Sequence, residues 1–296
     1  MHYLLRLRFV VPLALLASLS GCSDKQSDPT PTPTPSTPTT PTAPVVDGHL
    51  SMGNPSGATA DVNMPTNYLL TKAQYVASYH RDRGIPNWVS WHLATSWLGT
   101  AARQDDFRAD ASLPAGWYQV QATSYSGSGF DRGHNCPSAD RTASVADNSA
   151  TFFMTNMIPQ APRNNQQTWA DLEDYCRTLA RAGNELYVIM GQYGTGGVGS
   201  SGAKTTLDNG HVTVPARVWK VIVVLPIGEQ DASRVTSTTR VIAVDTPNDN
   251  TLSTAWGQYR TTVDAIEAAT GYDILSAVSS TVQSTVEARV DTGPTQ

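Results

Sequence analysis

Hydrophobic positions along this chain change period several times, and each change predicts a different element. Tyr75-Val-Ala-Ser-Tyr79 and Pro86-Asn-Trp-Val-Ser-Trp-His-Leu93 are rich in aromatic and β-branched residues and flank a turn-like Asp82-Arg83-Gly84. They predict an opening antiparallel hairpin. His92 lies inside the second run, between Trp91 and Leu93, and reads as a packed or rim histidine. Residues 99–129 lose periodicity and end in the Ser/Gly cluster Tyr125–Gly129, as a loop does. Ala150–Met154 is a short apolar run expected as a strand. From Asn165 the spacing turns helical, with Trp169, Leu172, Cys176 and Leu179 at i, i+3, i+7 and i+10 and Gly183 as the stop. Three β runs follow at Leu186–Met190, Val212–Leu225 and Arg240–Asp245. Trp256, Tyr259, Val263 and Ile266 repeat the helical spacing up to Gly271, and a Val- and Thr-rich segment closes the chain. The pattern predicts an α+β fold with a central antiparallel β-sheet flanked by helices.

The N-terminus follows other rules. Arg6 and Arg8 precede the apolar run Phe9–Leu19, which is shorter than the roughly 20 residues a spanning helix needs. It ends in Leu19-Ser20-Gly21-Cys22, which looks like a bacterial lipoprotein box. Residues 1–21 are therefore expected to be a signal peptide, and Cys22 the lipidated first residue of an exported chain. That chain would be anchored to a bacterial membrane, at the outer-membrane or periplasmic face or at the cell surface. An ordinary cleaved secretory signal is the alternative. Residues 22–46 are dominated by Pro and Thr and predict an extended tether. Residues 47–290 form the expected domain, and 291–296 a disordered tail.

The formal net charge is −5 over 296 residues. Residues 1–21 carry two arginines and no acid, so their removal leaves −7. An acidic chain argues against a stable DNA-coating role but not against an enzyme whose local cations attract phosphate. With Cys22 lipidated, Cys136 and Cys176 remain, and an exported chain with two cysteines suggests a disulfide between them.

The chemistry concentrates in Phe130-Asp131-Arg132-Gly133-His134-Asn135-Cys136-Pro137. His134 suits proton transfer near neutral pH, which makes it the candidate general base. Arg132 offers a planar fork for phosphate. Gly133 would let the chain bend so that both heads reach one cleft. The combination points to phosphodiester chemistry, with a salt-bridged surface turn as the plain alternative. Downstream, Thr151–Gln160 and Arg163–Glu173 supply amide and carboxylate oxygens, the hard ligands that Mg²⁺ prefers. Asn156 is expected to satisfy backbone groups beneath the site rather than bind metal. Glu173 and Arg177 form an i,i+4 pair on the predicted helix. Gly194-Thr-Gly-Gly-Val-Gly199 matches a dinucleotide-binding pattern, but the turn-like Ser200–Gly210 follows where a helix would have to open. It is read as a loop between strands.

The segments Asp-Arg-Gly-His, Asn156-Met157-Ile158-Pro159-Gln160 and Asn165 followed by Trp169 and Leu172-Glu173 together resemble the DNA/RNA non-specific endonuclease family. This family belongs to the ββα-metal (His-Me finger) superfamily, and the resemblance runs from about Tyr68 to Val286. It implies a ββα-metal catalytic motif and a metal-dependent, sugar-non-specific cleavage of DNA and RNA that leaves 5′-phosphates. It implies one divalent cation, Mg²⁺ with Mn²⁺ as substitute, held directly by Asn165 and through water by Glu173. Arg132, Arg177 and a loop arginine would face the scissile phosphate; Arg103 is the match, with Arg108 also open. Two other classes are compatible with the residues: a phosphodiesterase for small nucleotide esters, and a non-catalytic surface-binding lipoprotein.

Overall fold

The computed structural model describes residues 48–296. The expected signal peptide, the lipidation site Cys22 and the tether lie outside the described residues. In chain order the strands begin with β1 (Tyr68–Thr71), β2 (Val76–His80), β3 (Ile85–Leu93), β4 (Asp131–His134), β5 (Met157–Gln160) and β6 (Asn184–Tyr193). Next come β7 (Gly197–Gly199), β8 (Gly202–Lys204), β9 (Thr206–Leu207), β10 (Val212–Thr213), β11 (Arg217–Pro226), β12 (Arg240–Pro247) and β13 (Arg260–Thr261). The helices are α1 (Val145–Ala150), α2 (Ala170–Arg181), α3 (Asp231–Arg234), α4 (Val263–Thr270) and α5 (Ser280–Val286).

Seven of these strands make one antiparallel sheet in the order β1-β2-β3-β6-β11-β12-β13. Its inner strands are apolar on both faces, because alternate residues face opposite layers. On β6 and β11, Leu186, Val188, Met190, Val218 and Ile222 enter one core cluster with Met157, Trp169, Leu172 and Cys176. Their neighbours Tyr187, Ile189, Trp219, Val221 and Val223 enter a second cluster with Val263, Ile266, Ile274 and Val286. The first layer carries the β4–β5 ribbon and α2; the second carries α4 and α5. The expected α+β fold is the one observed.

The opening hairpin forms as read, with a 3₁₀ turn at Arg81–Arg83 and Gly84 at φ 64° between β2 and β3. Other elements depart from expectation. Residues 145–150 form helix α1, capped by Ser144 Oγ on the Asp147 N–H, and no strand spans 150–154. The apolar residues there are instead split, with Phe152 and Met154 buried on either side of a lone bridge from Phe153 to Arg108. The helix predicted from Asn165 starts with a π-helical turn over Asn164–Trp169 before α2 becomes regular. The helical spacing from Trp256 to Ile266 is broken by β13, and α4 begins afresh on the Thr262 cap. Of Gly194–Gly199, expected as a loop, the last three residues are strand β7 of the small β7–β8 hairpin, and no helix opens after it.

Two further expectations are corrected. Cys136 and Cys176 are free and buried, not bridged, and burial pushes both thiols up to about 12. Sequence position cannot tell whether two Cβ vectors meet at the about 3.5–4.5 Å that a bridge requires. The last residues are not frayed either. Asp291 is buried and takes Arg240 on both oxygens at 2.8 and 2.9 Å, with Arg260 at 3.2 Å. Arg240 also donates to Tyr175 Oη on α2 at 2.6 Å, which fastens the terminus to the helix. The arginines are partly exposed, which limits what the pairing contributes. Asp291→Asn is expected to cost about 1–2 kcal/mol, or about 2–4 °C in Tm per kcal/mol. An unchanged melting curve would mean that the terminus contributes nothing.

Candidate active site

β4 and β5 form a two-stranded antiparallel ribbon, pairing Asp131 with Gln160, Arg132 with Pro159, Gly133 with Ile158 and His134 with Met157. α2 follows from β5 through the π-helical turn, completing a strand–strand–helix unit. Gly133 does not bend the chain, as the sequence suggested; it lies in extended strand. A Cβ there would stand 2.3 Å from Gln160 Oε1, so glycine is required by the close approach of a buried side chain across the ribbon. Alternation along β4 turns Arg132 and His134 to one side.

That side is built on two phenylalanines. His134 packs edge-on against Phe152 (centroids 4.9 Å, 87°) and against Phe107 (5.6 Å, 60°), and the two phenylalanines are themselves perpendicular. The Arg132 guanidinium lies 3.7 Å over Phe107, and that of Arg103 4.9 Å over Phe152. The rings thus set the planes of two guanidinium forks. Arg103 is further fixed by Asp105 (2.6 Å) and Ser138 Oγ (2.9 Å), and Arg132 by the Ala122 carbonyl (3.1 Å). Together with Asp131, Asn165, Gln166 and Phe130 they line a cleft of about 400 Å³. Arg108 is elsewhere, held by Asp106 and the Ser149 carbonyl and stacked 4.1 Å over Phe153. Of the two loop arginines, only Arg103 reaches the cleft.

His134 is half-buried, and its Nε2 is enclosed without a hydrogen-bond partner. No protein group bonds Nδ1 either, and Nδ1 is not among the enclosed atoms. Burial, with Arg103 and Arg132 adding to it, lowers this histidine from 6.5 to about 3. The ring is therefore neutral at neutral pH, the state a proton acceptor needs.

Asn165 and its neighbour separate cleanly. Asn165 Nδ2 donates to Asp131 Oδ2 (2.8 Å), and Gln166 Nε2 donates to the same oxygen (2.8 Å). This fixes the amide with Oδ1 free of protein partners among the described residues. Asn164 is buried and donates to Thr246 Oγ1 (3.0 Å) and the Pro247 carbonyl (3.3 Å), tying the helix start to β12. Asn156 holds the backbone of Cys136 at both ends, accepting from its N–H (3.0 Å) and donating to its carbonyl (2.9 Å).

Glu173 and Arg177, expected as a pair, have separate partners. Glu173 Oε1 accepts from Lys220 Nζ of β11 at 3.2 Å. Burial pushes its carboxyl up, and Lys220 and Arg177 oppose that shift. Arg177 is buried and bonds Asp140 (2.8 Å) and Asp174, while Asp140 also accepts from Trp91 Nε1 (2.9 Å). His134, Glu173 and Arg177 all lie off the cleft lining, and Arg177, its guanidinium spent on two carboxylates, fastens α2. His92, as read, is packed: it meets Glu185 (3.1 Å) and Tyr187. Phe107, Phe152, Asp140 and Lys220 escaped the sequence reading. Only Lys220 left a signal, a charge inside the apolar run Val218–Leu225.

A seven-stranded antiparallel sheet bearing a strand–strand–helix unit with Asp-Arg-Gly-His on its first strand defines the ββα-metal nuclease fold. The family profile described as DNA/RNA non-specific endonuclease matches residues 55–281, and the chain belongs to that family of hydrolytic nucleases. It is 49% identical over 278 residues to a protein named Nuclease from Nostoc sp., covering 94% of this chain and 96% of the relative. It is 35% identical over 195 residues to mitochondrial Endonuclease G of Bos taurus, covering 63% of this chain and 64% of the relative. A crystal structure of the EndoG/EndoGI complex superposes with a TM-score of 0.61 at 23% identity, over 78% of this chain and 91% of that one. That likeness is one of fold.

In the metal-free protein the His134 ring proton signals are expected to stay at their neutral positions from about pH 8 to below pH 5. Because the folded value is depressed, the unfolded chain takes up this proton first as pH falls through about 6.5. Stability contributed by the neutral ring is thus full above about 6.5 and declines toward the folded value. An NMR titration with a midpoint near 6.5 would contradict the enclosure described here.

Proposed function

We propose that this protein is a metal-dependent, sugar-non-specific endonuclease that hydrolyses the phosphodiester bonds of DNA and RNA. It would act at a bacterial membrane, anchored by a lipid on Cys22 and held off the surface by residues 22–46. The observation that carries the chemistry is the convergence of Arg103, Arg132 and the Asp131-oriented Asn165 amide on one cleft beside a neutral His134.

The donor set fits a hard divalent cation: among the described residues, Asn165 keeps a free amide oxygen, and the Glu173 carboxylate has one oxygen on Lys220 and the other without a protein partner. Asn165 would hold the cation directly and Glu173 through water. Mg²⁺, which keeps its waters readily, is the expected ion and Mn²⁺ its substitute. When bound, the cation supplies Lewis-acid stabilisation of charge on the phosphate and the leaving oxygen.

The chain's own groups do the rest. Arg103 and Arg132 bind phosphate oxygens with guanidinium planes already set by Phe152 and Phe107, so little order is lost on binding. His134 accepts the proton of the attacking water at Nδ1, the nitrogen left outside the enclosure. Arg177 keeps α2, and so Glu173, in place. None of these groups reads a base edge, so recognition rests on the backbone and little sequence preference is expected.

The test is incubation of plasmid DNA and of RNA with the purified protein, with Mg²⁺ and then with EDTA. Cleavage of both polymers that EDTA abolishes is expected; hydrolysis of small diesters alone would replace the reading with a small-ester phosphodiesterase. His134→Ala is expected to lower the rate about 10²–10⁴-fold with the fold intact. Asn165→Ala should weaken Mg²⁺ activation severely, whereas Asn164→Ala should act on thermal stability. A Mg²⁺ titration that is normal in Asn165→Ala and defective in Asn164→Ala would reverse the assignment.

A further inference from the structure

Away from the cleft, on the layer that covers the other face of the sheet, three carboxylates converge. Asp264 and Glu267 lie on α4, and Glu287 directly follows α5. One carboxylate oxygen of each lies within 4.8 Å of the others. The backbone enforces this, since the Asp264 N–H donates to the Glu287 carbonyl at 3.2 Å. Acidic clusters are common on protein surfaces, but this one reaches inward. Glu287 is 5% exposed, and its Oε1 is enclosed with no hydrogen-bond partner. Glu267 Oε1 has a single protein donor, the Ile274 N–H at 2.7 Å. No ion pair among the described residues involves Asp264, Glu267, Asp273 or Glu287.

Such a group is expensive in isolation, because a buried carboxylate needs either a partner or a proton. Burial and the charges of Glu267, Asp264 and Asp273 push the Glu287 carboxyl up to about 7. Burial likewise raises Glu267. The three carboxylates thus form a pocket of hard oxygens with no cationic partner among the described residues.

We propose that Asp264, Glu267 and Glu287 bind a divalent cation of the Ca²⁺ class, at a structural site separate from the catalytic cleft. Ca²⁺ takes oxygens at about 2.3–2.6 Å, so ligands on opposite sides of the ion stand about 5 Å apart and the three oxygens can share one ion. It also tolerates irregular geometry and completes six to eight positions with water, where Mg²⁺ demands a near-ideal octahedron. The consequence is mechanical. Val263 and Ile266 of α4 and Val286 of α5 pack into the second core cluster, so the ion would clamp together the two helices that cover that face. An affinity of about 10⁻⁴–10⁻³ M, as in extracellular Ca²⁺ modules, suffices for a chain exported to a Ca²⁺-containing medium.

The test compares thermal unfolding of the full chain and of Glu287→Gln at pH 8, stripped with EDTA and then supplied with CaCl₂ to about 10 mM. Both proteins keep the catalytic cleft, so any Ca²⁺ bound there cancels in the comparison. Ca²⁺ is expected to raise the Tm of the unsubstituted chain by about 2–5 °C more than that of Glu287→Gln. In EDTA the variant should melt higher than the parent, because the substitution removes a repelled buried charge. Equilibrium dialysis should show one Ca²⁺ fewer per chain in the variant. Asp264→Asn, at the exposed member of the cluster, should lower the Ca²⁺ increment without disturbing the core and covers the case in which Glu287→Gln misfolds. Equal Ca²⁺ increments and equal stoichiometry in parent and variants would overturn the proposal and leave Glu287 as a protonated core acid.

Discussion

A single buried cation organises this molecule. Lys220 stands at the middle of β11, flanked by β6 and β12, and is 1% exposed on the catalytic side of the sheet. Its neighbours on that face are apolar, and its ammonium lies 4.9 Å from the Trp169 ring and 5.5 Å from that of Trp91. A charge so placed must be met by an anion, and α2 brings Glu173 to it. The pair need not add net stability, since desolvating both partners offsets their attraction. Breaking it is another matter: an orphaned buried charge costs about 3–5 kcal/mol. The pair therefore selects one placement of α2 over the sheet. One turn further along, Arg177 joins Asp140, which also receives the Trp91 indole. Helix, sheet and the segment just after His134 are locked by one connected set of charges.

Within that frame, precision at the cleft comes from rings more than from salt bridges. Arg103 and Arg132 each rest on a phenylalanine, and the same two phenylalanines box in His134. A long exposed arginine samples many rotamers, and ordering it on binding costs side-chain entropy. Stacking and one or two short hydrogen bonds restrict it beforehand. The acid in Asp-Arg-Gly-His serves in the same way. Asp131 spends one oxygen on the Asn165 and Gln166 amides and so joins the ribbon to the helix start.

Much of this was legible in the sequence, for physical reasons that differ by element. The long strands were visible because both of their faces are buried, which leaves continuous β-branched runs. The hairpin β2–β3 was visible because Gly84 marks the one residue that must take a positive φ. His134, Arg132 and Asn165 were named from their chemistry and family spacing; Arg132 and Asn165 line one cleft, and His134 packs beside it against Phe107. What failed was whatever depends on a partner far along the chain. Glu173 and Arg177 stand at i,i+4, yet Glu173 meets Lys220, 47 residues away, and Arg177 meets Asp140, 37 residues away, as well as the nearby Asp174. Phe107 and Phe152 sit in stretches without periodicity and acquire meaning only when folded together. The π-helical turn at Asn164–Trp169 shifts the phase at the helix start, which the regular helical spacing from Asn165 does not reveal. Local pattern reports local structure; the charge network is not local.

The environment of His134 also couples binding to basicity. No carboxylate bonds this imidazole, unlike a histidine oriented by an acid; it is kept neutral by enclosure and by the positive charges of Arg103 and Arg132. Burial, the larger cause, and those two charges together keep the imidazole neutral in the empty enzyme. A phosphodiester seated on the two guanidinium groups cancels much of their field at the ring. In the mechanism proposed above, the event that delivers the substrate would thus raise the proton affinity of the imidazole. With His134 in the proposed role of base, one neutral imidazole and two preset cations would need no acidic partner to time the proton transfer, because the charge of the substrate would do it.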